Sequence, residues 1–518
     1  MGKSYKFRTK PYAHQWRALK KMVRSDFGLA LLMDPRTGKT KTCIDYFGVM
    51  HAKHGLKKIL VICPPRVMNV WLEEIHRHCP YLVDVIMWDR EGRKKSLPRE
   101  VKAPFDLQVV IVNYQAFVTP GKRLPSGRRS KASGRFKFRA EIKKWVGDDD
   151  ALCLLDESHK IKSASGKTAR MIVSMRGYFR WRVLATGTVV TKANRAHDIY
   201  MQWRFLNPER FSDVGDYDDF RMHYGRWVNT GEYQKWTGPR NMEEFHKRVH
   251  RDSFAVHRED CFDLPERDDI IELVDISGET ARVYDEMANK MVADLQNGEI
   301  TEASIALVQT LRLCQITGGT ATTPPPDKET YRIGVEKLNA LRPHLENAQE
   351  RAEKLVVCAR FKADLNAIAA LCEDLGLPCW QLRGGVKRKD SDRFIHEFRK
   401  HDDAGVFLMQ PQSGSLGIDL STAATMIWYS LIPSFVDFSQ SCDRIALSRT
   451  STTFIYLLAK GTVDEVLYYV LRNDGDVVKA ITSSPEKLLR STKSRKALLA
   501  SKDKWRGHEK GSVPEERN

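Results

Sequence analysis

The sequence predicts an α/β protein built from two parallel-sheet lobes with helical insertions. Three observations support this prediction. Short apolar runs alternate with helical patterns, which is typical of parallel sheets whose strands are joined by helices. The alternation occurs in two series, separated by a Pro- and Thr-rich break at residues 320–327. The 518 residues are enough for two or three domains, each with its own core.

The first series is organised around a candidate phosphate loop near the N-terminus. The apolar run at residues 29–33 predicts a buried strand, and residues 42–47 begin a helical pattern. Gly38, Lys39 and Thr40 stand between them. In this context, backbone N–H groups, the Lys39 ammonium and the Thr40 hydroxyl can bind phosphates and Mg²⁺. The alternative is an ordinary strand-to-helix turn with a solvated lysine.

The strands that follow end in polar residues. Four more apolar runs predict strands at 59–63, 109–114, 151–155 and 182–185. Asp156 and Glu157 follow the third of these runs, and Thr186 follows the fourth. Because parallel α/β sheets bind ligands at the carboxyl ends of their strands, Asp156 can hold a metal and Glu157 can activate a water. The alternative is a pair of carboxylates on a solvated turn.

Residues 119–139 form a Gly-, Ser- and base-rich segment without an acidic residue. This composition predicts a loop rather than a helix or a strand. Its basic residues include Arg123, Arg128, Arg129 and Lys131. The segment is either a surface insertion or an arm that contacts nucleic-acid phosphates, and the sequence favours neither.

The second half of the chain repeats the plan of the first. Residues 193–267 have a helical and aromatic pattern, and a second helical stretch precedes the break at 320–327. Apolar runs then predict strands at 355–359, 406–409, 425–429 and 454–458. The segment 487–510 is basic with little apolar periodicity, which predicts a tail.

Charge and cysteine usage narrow the class of protein. The formal charge of +19 favours a polyanionic partner, nucleic acid before membrane, because no basic amphipathic anchor is evident. The ten cysteines contain no C-x-x-C pair, which argues against zinc and against a disulfide framework. No apolar run approaches the roughly 18 residues of a membrane span, and the N-terminus lacks the apolar segment of a signal peptide. We therefore expect a cytoplasmic protein.

The order of the motifs resembles the superfamily-two DEAD/DEAH-type helicases, and in particular their Swi/Snf-like branch. The matching residues of the first series are Gln15, Gly38-Lys39-Thr40, Pro64-Pro65 with Trp71, residues 156–162 (DESHKIK) and Thr186-Gly187-Thr188. In the second series, residues 413–420 (SGSLGIDL) resemble motif V, and residues 440–444 (QSCDR) resemble motif VI. The small accessory content favours a minimal form, as in phage or mobile-element genomes.

The resemblance implies two RecA-like lobes of the P-loop NTPase type, with ATP bound between them and nucleic acid lying across both. Gln15 would contact the adenine, and Asp156 would hold Mg²⁺ through water together with Thr40. Glu157 would activate the attacking water. The remaining nucleotide-binding residues of the first lobe would be those of the phosphate loop, Thr37, Gly38, Lys39, Thr40 and Lys41.

The resemblance also assigns residues to coupling and to the second lobe. Thr186, Thr188 and Gln440 would couple hydrolysis to movement. Gly417 and Asp419 would contact the nucleotide. Arg444 would approach the γ-phosphate as an arginine finger, a contact worth about 10³–10⁵ in rate.

The domain boundaries follow from the same comparison of motifs. We predict a first lobe over residues 1–265, with a helical insert at about 195–262. A second lobe is expected over 266–482, with a helical insert at about 277–345. A basic C-terminal tail is expected over 483–518.

Several positions depart from the family pattern. Leu447 stands where motif VI usually has a second arginine, and Arg449 lies two residues further on. In the phosphate loop, Met33 and Arg36 stand at positions that are usually glycine. Val189 replaces the usual proline of motif III. These departures concern the rate of hydrolysis more than the fold.

We therefore expect an ATP-dependent DNA helicase or translocase that uses ATP and Mg²⁺. It would contact mainly the phosphate backbone of DNA, so that binding would not depend on the base sequence. We expect no membrane partner. Two alternatives stay open. One is an RNA-dependent motor, and the other is a nucleic-acid-binding protein whose ATP site has decayed.

Overall fold

The chain forms two compact units, Met1–Leu264 and Pro265–Asn518. A computed structural model of the protein describes residues 5–34, 36–88, 96–119, 133–134, 136–187, 196–229, 234–257, 260–261, 267–296, 303–323, 329–386, 388–411, 418–445 and 451–472. Within these ranges, no helix is both long enough and apolar enough to cross a membrane.

The first unit contains a parallel sheet of seven described strands. These are β1 (Gly28–Met33), β2 (Lys58–Cys63), β3 (Val83–Met87), β4 (Leu107–Asn113), β7 (Ala151–Asp156), β8 (Trp181–Thr186) and β11 (Ser253–Val256). The strand order is β11-β1-β8-β7-β2-β4-β3, and every pairing is parallel. Two antiparallel hairpins stand outside this sheet, formed by β5 (Val118–Thr119) with β6 (Ser133–Gly134) and by β9 (Gly225–Asn229) with β10 (Gln234–Pro239).

Helices cover both faces of the first sheet. They are α1 (Ala13–Arg24), α2 (Lys39–His54), α3 (Met68–His78), α4 (Phe136–Val146), α5 (Lys167–Val173), α6 (Tyr200–Leu206), α7 (Tyr217–Tyr224) and α8 (Met242–Arg251). Alternate residues of β2 enter different cores, Leu60 one core and Val61 the other. A strand buried on both faces needs apolar residues throughout, which explains the uninterrupted apolar runs.

The second unit repeats this architecture. Its described strands are β12 (Arg267–Val274), β15 (Lys354–Cys358), β16 (Cys379–Leu382), β17 (Gly405–Met409), β18 (Thr425–Trp428) and β19 (Thr452–Ala459). They form a parallel sheet in the order β12-β19-β18-β15-β17-β16, while β13 (Thr320–Thr322) and β14 (Thr330–Arg332) form an antiparallel hairpin. The helices are α9 (Gly278–Gln296), α10 (Ala303–Thr317), α11 (Glu336–Glu350), α12 (Lys362–Asp374), α13 (Arg388–Lys400), α14 (Phe435–Cys442) and α15 (Val463–Arg472).

The predicted fold class, two parallel-sheet α/β lobes, is confirmed, but three local predictions are wrong. The basic segment 119–139 is not a loop throughout, because helix α4 begins inside it at Phe136. Phe138, Ile142 and Trp145 recur at helical spacing and are buried, and Phe138 stacks on Trp88 with ring centroids 4.0 Å apart. Arginines and lysines between these apolar residues hide the pattern in the sequence.

The stretch at 193–267 is not only helical. It also contains the β9–β10 hairpin and strand β11, which pairs with β1. The break at 320–327 likewise begins as a strand, β13. Short segments such as these carry too few residues for a clear periodicity.

Candidate functional site

The carboxyl ends of three neighbouring strands bring the predicted residues of the first lobe together. In the register of the sheet, Leu32 of β1 pairs with Thr186 of β8, and Ala185 of β8 pairs with Asp156 of β7. The phosphate loop, Thr186 and the Asp156–Glu157 pair therefore lie at one edge of one sheet. This is the edge at which parallel α/β sheets bind ligands.

The phosphate loop contains a glycine whose backbone conformation disfavours any side chain. Gly38 has a φ of +82° at the N-terminus of α2, and a Cβ at this position would lie 2.0 Å from Gln15 Nε2. Gln15 is buried in α1 and donates from Nε2 to the Thr37 carbonyl at 3.3 Å. Its Oε1 accepts a hydrogen bond from the backbone N–H of Tyr12 at 2.9 Å. Gln15 thus ties the loop to α1, while its contact with adenine stays a prediction.

Lys39 and Thr40 occupy the first turn of α2. The Lys39 ammonium donates to the carbonyl oxygens of Met33 and Asp34, at 2.6 and 3.0 Å. It is therefore held at the loop itself. The first turn of a helix also presents unpaired N–H groups and a partial positive charge, so loop and lysine together can bind phosphates.

Lys41, predicted to bind the nucleotide, has a different partner. Its ammonium lies 2.5 Å from the carboxylate of Asp45, one turn further along α2, and both side chains are buried. The Tyr5 hydroxyl donates to the same carboxylate at 3.0 Å. Burial raises the pKa of Asp45, and the hydrogen bond and charge of Lys41 oppose that shift. This placement supports a structural role for Lys41 within the helix rather than contact with a nucleotide.

The two carboxylates at the end of β7 are oriented by buried neighbours. Asp156 Oδ2 accepts a hydrogen bond from the Trp71 indole N–H at 2.8 Å, and the Asp156 carbonyl accepts one from the Tyr114 hydroxyl at 2.7 Å. Glu157 has φ +54° and ψ +52°, the left-handed region that residues with a Cβ rarely adopt. Such backbone strain clusters at functional sites, where the surrounding structure enforces it.

The two carboxyls have oppositely shifted pKa values. Burial, together with the Glu157 charge, raises the pKa of Asp156, although Trp71 and Lys39 oppose this shift. Burial acts in the same direction on Glu157, but His159 and then Lys39 outweigh it and lower the pKa of Glu157. Glu157 is therefore ionised at neutral pH, the form that a general base requires.

His159 connects this carboxylate to the neighbouring strand. Its Nδ1 lies 3.2 Å from Glu157 Oε2 and 3.3 Å from Thr186 Oγ1. Ser158 donates to Gln202 Oε1 of α6 at 2.6 Å, so the turn after β7 is also fixed to the helices that follow β8. A displacement of Thr186 would therefore act on Glu157 through one buried histidine.

The oxygen donors of this edge fit a magnesium ion that arrives with a nucleotide. Such an ion is usually held by one or two protein oxygens, with phosphates and water completing its coordination. The Thr40 hydroxyl and the Asp156 carboxylate are donors of this type. In the part of the chain that the structure describes, no group of three or more His, Cys, Asp or Glu side chains could hold a metal ion.

In the second unit, Arg444 is bound to the segment that resembles motif V. It is buried, and its Nη1 donates to the Ile418 carbonyl at 3.3 Å. The backbone N–H of Leu420 donates in turn to the Arg444 carbonyl at 3.0 Å. Asp419 and Gln440 are both half-buried, Gln440 within α14. The roles of these residues toward the nucleotide stay predictions.

The remaining predicted site residues lie outside the described residues. They are Gly417 of motif V, Thr188 of the coupling pair, and the basic residues Arg123, Arg128, Arg129 and Lys131. Arg449, the possible substitute for the missing motif VI arginine, also lies outside them.

Trp71 is a functional candidate that the sequence analysis identified only as a matching position. Replacing it with phenylalanine removes the N–H donor to Asp156 and keeps an aromatic ring. Partners that orient a metal ligand are typically worth about 10- to 100-fold in metal affinity or activity. We expect Trp71→Phe to raise by about that factor the Mg²⁺ concentration that gives half-maximal ATP hydrolysis.

A matched control is Trp145→Phe. Trp145 is also buried in the first unit, and its indole N–H donates to Gln108 Oε1 at 2.6 Å. Gln108 belongs to the beginning of β4, at the opposite edge of the sheet. Both variants lose a buried hydrogen bond, so an equal change in Mg²⁺ dependence would show that Trp71 acts only through stability.

The fold and the residues at the carboxyl ends of β1, β7 and β8 define the class of protein. It has RecA-like α/β lobes, with a candidate phosphate loop after the first strand. Two family models match the chain. The SNF2-related domain matches residues 14–317, and the helicase conserved C-terminal domain matches residues 336–447. Because the first match alone covers more than half of the chain, the chain belongs to the SNF2-related family.

Curated relatives and solved structures are similar to the chain at low identity. The ISWI chromatin-remodeling complex ATPase ISW1 of Saccharomyces cerevisiae is 22% identical over 493 residues, 89% of the chain and 40% of the relative. The DNA repair and recombination protein RDH54 of the same species is 23% identical over 446 residues, 79% of the chain and 44% of the relative. The chain thus spans less than half the length of these relatives. A solved structure of the Sulfolobus solfataricus SWI2/SNF2 ATPase core in complex with dsDNA is 20% identical in sequence to the chain, with a TM-score of 0.39. This match covers 98% of the chain and 99% of the solved chain.

Proposed function

We propose that this chain is a DNA-stimulated ATPase that uses ATP hydrolysis to move along DNA. The observation that supports it most directly is the meeting of Lys39, Asp156 and Glu157 at one sheet edge. A phosphate loop alone is compatible with many nucleotide-binding proteins. A loop lysine together with an ionised carboxylate that can activate water supplies the groups that ATP hydrolysis requires.

Each residue at this edge has a separate task in the proposed reaction. The loop N–H groups and Lys39 bind the phosphates, while Thr40 and Asp156 are the oxygens that would hold Mg²⁺. When bound, Mg²⁺ would neutralise charge that develops on the phosphates. Glu157 takes a proton from the water that attacks the γ-phosphorus, and the bond from this phosphorus to the bridging oxygen of ADP breaks.

Movement along DNA requires that hydrolysis change the structure outside the nucleotide site. The contacts from Glu157 through His159 to Thr186 are a physical route for this, because His159 lies within 3.3 Å of both the Glu157 carboxylate in the turn after β7 and the Thr186 hydroxyl at the end of β8. Arg444 is proposed to supply a second positive charge to the γ-phosphate. This role would make hydrolysis depend on the position of the second unit.

DNA is the proposed partner because of charge and family. The formal charge of +19 favours a polyanion, and an electrostatic grip on phosphates does not depend on base sequence. The related ISW1 and RDH54 are named for chromatin remodeling and for DNA repair and recombination, respectively. Both names are compatible with a motor that follows double-stranded DNA.

One nucleic-acid panel tests this proposal. ATP hydrolysis is measured with duplex DNA, single-stranded DNA, a branched DNA and RNA at one salt concentration, with Lys39→Ala as the inactive reference. We expect duplex DNA to stimulate hydrolysis most.

A second measurement varies the salt concentration. The DNA concentration for half-maximal stimulation should rise about 10³-fold or more between about 50 and about 200 mM salt, as for proteins with six to ten phosphate contacts.

The other outcomes of the panel identify the alternatives. Stimulation by RNA above all DNA substrates would indicate an RNA-dependent motor. Hydrolysis by the unmodified chain that never exceeds that of Lys39→Ala, with any nucleic acid, would indicate a decayed ATP site.

A further inference from the structure

An arginine of the phosphate loop has a backbone conformation that suits glycine. Among the described residues, four that are not glycine have a positive φ: Arg36, Glu157, Asn241 and Ala352. Arg36 has a φ of +66°, within the left-handed region in which the Cβ crowds the backbone. Two of these four residues therefore lie at the candidate site, and strained positions of this kind cluster at functional sites.

The surrounding loop enforces this conformation. The Thr37 hydroxyl donates to the Asp34 carbonyl at 2.7 Å, and the Thr37 backbone N–H donates to the same oxygen at 3.4 Å. Gln15 holds Thr37 from α1, and Gly38 on the other side has a φ of +82°, which favours glycine. Arg36 therefore stands in a turn that is fixed on both sides, and a glycine would fit it without strain.

An arginine at a position that suits glycine adds charge to the loop. Arg36 and Lys39 bring two cations within four residues, at the sheet edge where Asp156 and Glu157 also lie. The Lys39 ammonium is already engaged by the carbonyls of Met33 and Asp34. A guanidinium binds phosphate through two parallel N–H donors, which an ammonium cannot reproduce.

We propose that Arg36 is a nucleotide-binding residue, a second cation of the phosphate loop that contacts the phosphate chain of the bound nucleotide. The proposal rests on the proposed function, since it assigns a residue to the same ATP site. It explains why the loop keeps a long basic side chain where glycine would be unstrained.

The substitution Arg36→Gly distinguishes a nucleotide-binding role from a structural one, because it should not lower the stability of the fold but should lower the affinity for the nucleotide. Glycine relieves the backbone strain, so the midpoint of thermal unfolding without nucleotide should stay equal or rise. Loss of the guanidinium should weaken nucleotide binding about tenfold or more, as expected for hydrogen bonds to a charged group. A side chain with only a structural role would not produce this combination.

The test uses the full chain and isothermal titration with a non-hydrolysable ATP analogue plus Mg²⁺, and with ADP. Arg36→Ala keeps the strained backbone and removes the charge, so it should weaken binding as much as Arg36→Gly without raising the unfolding midpoint. Arg36→Lys keeps a charge but loses the two-donor geometry, so its affinity should lie between those of the unmodified chain and Arg36→Ala.

Ala352→Gly is the matched control. Ala352 has a φ of +53° in the turn between α11 and β15, so glycine relieves similar strain there without any change in charge. This variant should bind the analogue as the unmodified chain does.

Two outcomes overturn the proposal in distinguishable ways. If the unmodified chain binds the analogue, Lys39→Ala does not, and Arg36→Gly binds as tightly as the unmodified chain, Arg36 has no role and the ATP site remains. If the unmodified chain binds no better than Lys39→Ala, the proposed function itself fails, and the Arg36 proposal fails with it.

Discussion

Glu157→Gln is expected to abolish ATP turnover while leaving ATP binding intact. Glutamine has nearly the shape of glutamate, so the turn after β7 should keep its geometry, but an amide cannot accept a proton from water at neutral pH. General-base catalysis typically contributes about 10²–10⁴-fold, and we expect a loss of that size in kcat. The measurement is DNA-stimulated phosphate release at saturating ATP, together with the dissociation constant of ATP.

The geometry of Glu157 makes this the most informative substitution. Its pKa is lowered mainly by His159, which counteracts burial, so the carboxylate is ionised where most buried acids would be neutral. A matched control is Glu74→Gln, since Glu74 also lies beside a histidine, His78, at 3.1 Å. Turnover by Glu157→Gln at the rate of Glu74→Gln would remove Glu157 as the residue that activates water.

Lys39→Ala is expected to remove nucleotide binding and, with it, hydrolysis. The ammonium can donate more than one charge-assisted hydrogen bond to phosphate oxygens, and each such bond contributes about 1.5–3 kcal/mol. Loss of two bonds corresponds to about a hundredfold or more in affinity. The dissociation constants of ATP and ADP, measured by titration, test this expectation.

Two other lysines of α2 provide comparisons for Lys39. Lys53 is exposed near the end of the helix, so Lys53→Ala should leave both binding and stability unchanged. Lys41→Ala should instead lower the unfolding midpoint, because it leaves the buried Asp45 without its ion-pair partner at a cost of about 3–5 kcal/mol. Equal binding by Lys39→Ala and Lys53→Ala would remove Lys39 from the phosphate site.

The sequence indicated the candidate reactive groups of the site more completely than the residues that hold those groups in place. Gly38-Lys39-Thr40 and Asp156-Glu157 are contiguous patterns that follow apolar runs, so the type of chemistry is visible without coordinates. The contacts from Trp71 to Asp156 and from His159 to Thr186 join residues that lie 85 and 27 positions apart. No local pattern marks such contacts, because they depend on which strands are neighbours in the sheet.

Lys41 shows how the helical period adds to what position along the chain indicates. It adjoins the phosphate-loop tripeptide, so a reading by position includes it among the nucleotide ligands. In an α-helix, however, neighbouring residues point about 100° apart, and the residue that faces Lys41 is Asp45 at i+4. Position along the chain therefore identified the helix, while the helical period decided which of its lysines reaches the loop.

The strands show the same division between sequence and tertiary structure. The strands predicted from the sequence are those that lie inside their sheets, such as β7 and β15, which are buried on both faces and paired on both sides. In the two large sheets, the strands that escaped prediction lie at the edges, namely β3, β11, β12 and β16. Three of the exposed side chains of β12 are apolar, namely Ile270, Ile271 and Leu273. In this edge strand, apolar residues are therefore not confined to buried positions, so the sequence pattern does not indicate which face is buried.

The sequence alone therefore determined the fold class and the family resemblance and indicated the candidate residues of the proposed chemistry, because each depends on local runs of buried or reactive residues. The tertiary structure decided where the sheets end, how Glu157 keeps its charge in a buried turn, and that Arg36 is strained. These features depend on pairing between distant strands and on backbone angles, which residue order does not specify.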